Sequence, residues 1–336
     1  MEKDLWKLSA KEIVKLTKNG DISAVTVVQS NIDRMHQVNP NLNAVVTDLS
    51  EQALEQADRL DEIRKSGKEL GVLHGVPITI KINIDQKGSA TSNGVFALRD
   101  AVAEFDSPVV ENLQKAGAII IGRTNTPEFS FRADTDNPLH GRTHNPWGPH
   151  VSAGGSSGGA GSAVMAGIGA LAHGNDIGGS LRFPAAANGA VTVKPGLGRI
   201  PAWNGTQKHE RGMLAQSMSV QGLLTRSVGD LDFAFPTMIG PDVRDPFHVP
   251  LKYRSLSDDK TVRVAFCKDV PGFEVHPDVE KALQIAAEAL IEAGYQVEEK
   301  TIPFLEETGT VGFRALMGEV NIMTVSYTHL TLPTKA

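Results

Sequence analysis

The first third of the chain alternates between amphipathic stretches and short, β-branched apolar runs. Apolar residues recur at helical spacing just after Ser9, from Ser23 to Val38 and from Ser50 to Ser66, which predicts three helices. Ser9 and Glu12 have the spacing of a capping box at the start of the first helix. Asn39-Pro40 predicts the end of the second helix, because proline restricts the residue before it to extended backbone.

Further along, two short runs of aliphatic residues read as buried strands. They span 76–81 and 118–121, with a predicted helix over 106–116 between them. Residues 160–172 are almost all Ala, Gly, Val, Ile and Met, which predicts a tightly buried helix. A strand–helix–strand pattern returns over 262–301. Strands that alternate with helices predict an α/β architecture.

Composition narrows the class of protein. The chain has 336 residues, a net charge of −6 and one cysteine, Cys267. We therefore expect no nucleic-acid partner and no anionic membrane surface, and the lone cysteine fits a reducing cytoplasm. No apolar run reaches the roughly 18 residues of a membrane span. Metal-ligand spacings and phosphate-binding glycine loops are also missing, so no cofactor is expected.

Two serine clusters flanked by glycines carry the candidate chemistry. The first is Gly154-Gly155-Ser156-Ser157-Gly158-Gly159 and the second is Gly178-Gly179-Ser180. Glycine lets the backbone bend sharply and approach other groups closely, so the repetition around serines predicts an acyl-transfer site. A serine hydroxyl needs a base. Lys81 ends a buried strand, where burial lowers the pKa of an amine and lets it accept a proton.

Two other interpretations are weaker. Of the ten histidines, His150 and His173 lie nearest the clusters, yet neither has a recognisable catalytic spacing, and both are typical of loop or capping residues. The first cluster also satisfies G-x-S-x-G, the nucleophile elbow of α/β-hydrolases. That elbow requires a preceding strand, which the segment 145–150, with its two prolines and a glycine, does not favour.

The combined motifs resemble those of the amidase signature enzymes over roughly residues 5 to 320. The matching segments are Leu73–Lys81, Thr124–Phe129, the first serine cluster, Asp176–Pro184 and Lys194-Pro195. The resemblance implies an α/β amidase signature fold, with a central mixed β-sheet flanked by α-helices on both faces. It also implies an amide hydrolase that acts on a small-molecule amide and uses no cofactor, and it leaves a homodimer open.

Carried over position by position, the resemblance implies a Ser–Ser–Lys triad. Ser180 would be the nucleophile, Lys81 the base, and Ser156 the bridge between them, with a cis peptide bond at Ser156. The implied oxyanion hole consists of backbone N–H groups at Ile177, Gly178, Gly179 and Ser180. The residues implied to support the site through hydrogen bonds are Ser157, Asp176 and Arg182.

The chain departs from the family pattern in three respects. Ile82, followed by Asn83, stands where many members have Asp after the lysine, and Ala153 stands where proline is frequent. Family domains also continue well beyond residue 336. We therefore expect an incomplete amidase signature domain over 1–325 and a non-native or disordered tail over 326–336.

Three functions stay open at this point. The first is a free-standing amide hydrolase, and the second is the glutaminase component of a tRNA-dependent amidotransferase, which shares the triad. The third is an inactive truncated homologue, although all three triad positions are filled. The sequence does not identify the amide; Trp203 and Phe131 are candidate substrate contacts, but large aromatic residues are more often core.

Overall fold

The structure is a computed structural model that describes residues 2–207, 212–249, 251, 253 and 262–331. The described residues up to Leu251 form one compact unit, and those between Lys252 and His329 form a second. The strands are β1 (Val45–Asp48), β2 (Pro77–Lys81), β3 (Ile119–Thr124), β4 (Leu171–Asp176), β5 (Val191–Thr192), β6 (Val220–Thr225), β7 (Arg263–Phe266) and β8 (Gln296–Glu299). The α-helices are α1 (Ala10–Asn19), α2 (Ala24–Leu42), α3 (Ser50–Lys65), α4 (Pro108–Lys115), α5 (Gly158–Met165), α6 (Arg182–Asn188), α7 (Met213–Met218), α8 (Val228–Ala234), α9 (Pro277–Glu292) and α10 (Leu305–Thr331).

A six-stranded mixed sheet organises the first unit, in the order β1-β3-β2-β4-β6-β5. Strand β2 lies at its centre and is parallel to both β3 and β4. Strands β1 and β6 run antiparallel to their neighbours β3 and β4. The second unit contains the parallel pair β7 and β8 with α9 between them, as the sequence predicts.

Helices cover both faces of the six-stranded sheet. Ile120 of β3 packs in one apolar cluster with residues of α1, α4 and α8. Its neighbours Ile119 and Ile121 pack in a second cluster with residues of α2, α3 and α5. This alternation is the two-residue period of a strand, so a strand buried on both faces reads as a continuous apolar run. The predicted α/β fold with a flanked mixed sheet is confirmed.

The capping box at α1 is also confirmed. Ser9 Oγ accepts a hydrogen bond from the backbone N–H of Glu12 at 3.2 Å, and the Glu12 carboxylate accepts one from the N–H of Ser9 at 2.8 Å.

Two predicted boundaries are wrong. Helix α2 does not end at Asn39-Pro40 but continues to Leu42. Pro40 lies in the last turn, and only two further helical residues follow it. The helix tolerates it there because its missing N–H removes only one intrahelical hydrogen bond. The Asn39 side chain accepts from the N–H groups of Ala44 and Val45 and so secures the exit of the helix.

The buried helix predicted over 160–172 ends at Met165, and Leu171 begins β4. Gly167 and Gly169 break the helix between them with φ of 84° and 78°. Alanine, valine and glycine are compatible with either structure, so the composition does not reveal this boundary.

Helix α10 continues through Thr331 and so includes the first six positions of the predicted tail over 326–336. Residues 332–336 lie outside the described part of the chain, and a non-native or disordered tail stays a prediction. Within the described residues, no helix combines the length and apolarity needed to cross a membrane.

Candidate active site

Three segments that are distant in sequence meet at the carboxyl end of the parallel strands. Lys81 is the last residue of β2, Ser156 and Ser157 immediately precede α5, and Asp176 ends β4. The carboxyl ends of parallel strands form the usual crevice of α/β proteins, because helix-leading loops diverge there. The parallel pairing of β2 with β4 therefore explains how the strand carrying Lys81 reaches the serine clusters.

Lys81 is fully buried and surrounded by neutral oxygen atoms. Its Nζ lies 2.7 Å from Ser156 Oγ, 3.1 Å from Ser157 Oγ and 2.9 Å from Asn175 Oδ1. Burial lowers the pKa of Lys81 well below its ordinary value of 10.5, and the negative charge of Asp176 opposes this shift only in part. A lowered pKa makes the unprotonated form of the amine more accessible, and only that form can accept a proton.

The first serine cluster is packed against other backbone segments. A Cβ on Gly155 would lie 2.3 Å from the carbonyl oxygen of Arg132, and one on Gly159 would lie 2.5 Å from the N of Asn125. The peptide bond between Gly155 and Ser156 is cis. The close approach predicted from the glycines is present, and it is made to the protein's own backbone.

The second serine cluster forms a turn held by Asp176. Its carboxylate accepts from the N–H of Gly179 at 2.8 Å, from the N–H of Leu181 at 3.1 Å and from the Arg182 guanidinium at 3.0 Å. Burial would raise the pKa of Asp176, but the hydrogen bonds from Arg182, Gly179 and Leu181 outweigh it and hold the pKa below its usual range. Asp176 is therefore an anion that fixes the turn between β4 and α6.

Ser180 lies half-buried in that turn. Among the described residues, no hydrogen bond joins its hydroxyl to Ser156 or to any other group, so the structure brings together Lys81, Ser156 and Ser157 but leaves Ser180 unbonded. The backbone N–H groups of Ile177, Gly178 and Ser180 likewise have no partner in the described part of the chain. The N–H of Gly179 is already donated to Asp176.

Sequence reasoning missed four polar residues that form a hydrogen-bonded path ending at the lysine. Asn175 contacts Lys81 directly, and its side-chain amide pairs reciprocally with that of Asn83. Ser130 and Thr126 continue the hydrogen bonds from Asn83 to the carbonyl oxygen of Ser156. Their positions in the sequence could have indicated two of them, because Asn83 lies two residues after Lys81 and Asn175 directly precedes Asp176.

Among the described residues, neither histidine considered from the sequence is hydrogen-bonded to Ser156, Ser157 or Ser180. His150 lies in an exposed loop. His173 is a buried residue of β4, not a loop or cap, and burial lowers its pKa to about 3, although the hydrogen bond to Gln221 opposes the shift. Within the described ranges, no group of His, Cys, Asp and Glu side chains is arranged to hold a metal ion.

A cavity of about 440 Å³ lies in the same unit. Its lining includes Trp203, Asn204 and Val220. Val220 is the β6 partner of Asp176, and Asn204 Nδ2 donates to the carbonyl oxygen of Asn83 at 3.2 Å. The cavity therefore borders the residues around Lys81. Phe131, the other aromatic candidate, is 41% exposed and does not line the cavity.

Comparison with known proteins identifies the family. The model of the family described as Amidase matches residues 26–330. Indoleacetamide hydrolase of Bradyrhizobium diazoefficiens is 54% identical over 89% of this chain and 57% of its own length. A glutamyl-tRNA(Gln) amidotransferase component from Symbiobacterium thermophilum is 36% identical over 89% of the chain and 61% of its own length.

A solved structure is similar over almost the whole chain. The crystal structure of a bacterial aryl acylamidase, a member of the amidase signature enzymes, superposes with a TM-score of 0.83 at 31% identity. That match covers 98% of this chain and 69% of the acylamidase. The chain thus spans a little over half the length of the two curated relatives. With the family model, the sequence identity and the fold in agreement, the chain belongs to the amidase family, the amidase signature enzymes.

Proposed function

We propose that this chain carries the active site of an amide hydrolase that works through an acyl-enzyme on Ser180. The observation that carries the proposal is the 2.7 Å contact between the buried Lys81 Nζ and Ser156 Oγ. The buried amine contacts one serine, and a second glycine-flanked serine follows that serine in the sequence. This arrangement fits a base that acts through a bridging hydroxyl. The family membership supports the same chemistry.

In the proposed first step, the Ser180 hydroxyl, which has no hydrogen bond among the described residues, turns to contact Ser156. Unprotonated Lys81 then takes the proton of Ser156, and Ser156 takes the proton of Ser180. The Ser180 Oγ forms a bond to the amide carbonyl carbon, and the carbonyl oxygen becomes an oxyanion. The proton then passes back through Ser156 to the amide nitrogen, the C–N bond breaks, and the amine leaves. Water repeats the sequence on the ester, which releases the acid and restores Ser180. No other reactant is needed.

The unpartnered N–H groups of Ile177, Gly178 and Ser180 are the proposed oxyanion donors. Preorganised donors of this kind typically contribute roughly 100- to 1,000-fold each to the rate. Gly179 can join them only if its N–H leaves Asp176, which holds it at 2.8 Å. Ser157, Asp176 and Arg182 are proposed to support the site, because Ser157 contacts Lys81 and the Asp176–Arg182 pair secures the turn.

Among substrates, we propose a small aromatic amide of the indoleacetamide kind. The support is the 54% identity to the indoleacetamide hydrolase, which is higher than the 36% to the amidotransferase component, and the cavity bordered by Trp203. The glutaminase function remains the second candidate because of that 36% identity. Hydrolysis of indoleacetamide by the protein alone, without a response to glutamine, would separate the two.

The test is Ser180→Ala, with the exposed Ser66→Ala as the matched control. We expect Ser180→Ala to lower kcat by about 10⁴-fold or more, because loss of a nucleophile removes the covalent route. It should also abolish labelling by a fluorophosphonate, which reacts only with an activated serine. Retained hydrolysis or labelling in Ser180→Ala would refute the assignment, and an intact protein that never reacts would support the inactive-homologue alternative.

A further inference from the structure

A directed path of hydrogen bonds leads from the backbone of Ser156 to the side chain of Asn175. The carbonyl oxygen of Ser156 can only accept, so the Thr126 hydroxyl must donate to it, at 3.0 Å. The hydrogen of Thr126 is then committed, and the contact of 3.0 Å between Thr126 Oγ1 and Ser130 Oγ requires Ser130 to donate. Ser130 in turn accepts from Asn83 Nδ2 at 3.1 Å.

These directions fix both side-chain amides. The second hydrogen of Asn83 Nδ2 points to Asn175 Oδ1 at 3.1 Å, and Asn175 Nδ2 donates back to Asn83 Oδ1 at 2.9 Å. The oxygen of Asn175, rather than its nitrogen, therefore faces Lys81. Phe129 and Ser130 have φ of 49° and 65°, an uncommon conformation for residues other than glycine, which shows that the surroundings hold Ser130 in place.

The same reasoning assigns the hydrogens of Lys81. The Ser157 hydroxyl donates to the carbonyl oxygen of Asn175, so its oxygen accepts from Lys81. Asn175 Oδ1 has no hydrogen and also accepts from Lys81. An unprotonated amine has two hydrogens and one lone pair. With both hydrogens donated, the lone pair faces the third neighbour, Ser156 Oγ, at 2.7 Å.

We propose that the Asn83–Asn175 amide pair is a positioning element that directs the lone pair of Lys81 toward the Ser156 hydroxyl. The proposal rests on the function proposed above, in which Ser156 gives its proton to Lys81. Neither asparagine reacts; they act through Lys81. Without them the amine could rotate and offer Ser156 a hydrogen where it must offer a lone pair.

The neutrality of the pair is part of the proposal. The titratable groups that interact with Lys81 within the described residues are Asp176 and the buried His173, both on β4. Arg123 lies on β3, at the other side of β2, and interacts electrostatically with Asp85 and Asp106. Helix α5 contributes no titratable side chain. An amide oxygen can orient the amine without adding a negative charge that would favour its protonated form.

The decisive variant is Asn175→Asp, which has almost the same shape but places a carboxylate on Lys81. An opposite charge at this distance shifts a pKa by roughly 1 to 3 units toward the charged form. We expect the acidic limb of kcat/KM for indoleacetamide to move upward by about one pH unit or more, with activity recovering at alkaline pH. Asn19→Asp adds the same charge on an exposed helix end and should leave the limb in place.

A second experiment covers the case in which Asn175→Asp fails to fold. Asn83→Ala and Asn175→Ala should each lower kcat by about 10- to 100-fold with little change in KM, as expected when a reacting group is misplaced. The double variant should be no slower than Asn175→Ala, because the two residues act as one unit.

Three results keep the interpretations distinct. A folded Asn175→Asp variant with an unmoved limb overturns the positioning role. The positioning role is also overturned if the double variant loses kcat by the product of the factors measured for Asn83→Ala and Asn175→Ala. Continued turnover by Ser180→Ala would instead overturn the proposed function itself, so the two failures are distinguishable.

Discussion

Replacing Lys81 by methionine tests whether the folded protein holds an unprotonated amine. Lys81 is fully buried, and its pKa is lowered well below 10.5 chiefly by that burial. Methionine has a similar length, carries no charge at any pH and packs well in irregular interiors. The substitution therefore removes one titration from the folded state and from the unfolded state while disturbing the packing little.

The sign and size of the effect follow from proton linkage. Between the folded pKa and 10.5 the unfolded chain binds a proton at Lys81 that the folded protein does not. The free energy of unfolding then rises with pH by about 1.4 kcal/mol per pH unit, owing to this residue alone. The stabilising contribution is complete above the unfolded pKa and is lost as the pH falls toward the folded pKa. The methionine variant lacks this slope.

Urea unfolding of the protein and of Lys81→Met between pH 7 and pH 9.5 measures how the free energy of unfolding changes with pH. The difference between the two free energies cancels every other titrating group, and we expect it to change by up to about 1.4 kcal/mol per pH unit where the pH lies between the folded pKa of Lys81 and 10.5. The exposed Lys15→Met serves as a control for the loss of a solvated lysine. A difference that stays constant with pH for Lys81→Met would mean that Lys81 is charged in the fold, and the proposed base would be lost.

Three further variants test the charge of Asp176 and the packing of two glycines. Asp176→Asn removes the negative charge that raises the pKa of Lys81, so the acidic limb of kcat/KM should move to lower pH. We also expect kcat to fall, because the turn held by Asp176 loosens. An upward shift of the limb would contradict the electrostatic reasoning. Gly159→Ala should destabilise the protein by about 1–3 kcal/mol in urea unfolding, because its Cβ would lie 2.5 Å from the N of Asn125. Gly229→Ala, in a helix where the nearest atom is 3.9 Å away, should instead stabilise it by roughly 0.5–1 kcal/mol, and equal effects would contradict the packing argument.

Local signals in the sequence are sufficient for much of the fold. The Ser9–Glu12 capping box and the apolar run before Lys81 predict a helix start and a strand that the structure contains, because both depend on neighbouring residues only. The boundary between α5 and β4 depends on the pairing of β4 with β2 and β6, which no local pattern reveals. Strand β6 has no distinct pattern of its own, so the sequence does not predict it.

The site likewise contains residues that local sequence patterns predict and residues that only the folded structure brings together. Glycines, serines and a strand-ending lysine mark Lys81 and the two clusters in the sequence, and the contact of Lys81 with Ser156 agrees with that interpretation. Asn83, Asn175, Ser130 and Thr126 are ordinary polar residues in the sequence. Their connection exists only after separate loops converge, so only the structure reveals it.

The central position of β2 has a consequence for the order in which the protein can mature on the ribosome. Lys81 emerges early, yet its contacts with Ser156 and Asn175 span 75 and 94 residues of later sequence. A nascent chain must therefore keep an amine that will end in the interior solvated, and charged, until β4 has been synthesised and has docked. Contacts of such long range form slowly, so recovery of hydrolysis after dilution from denaturant should lag behind the return of helical signal.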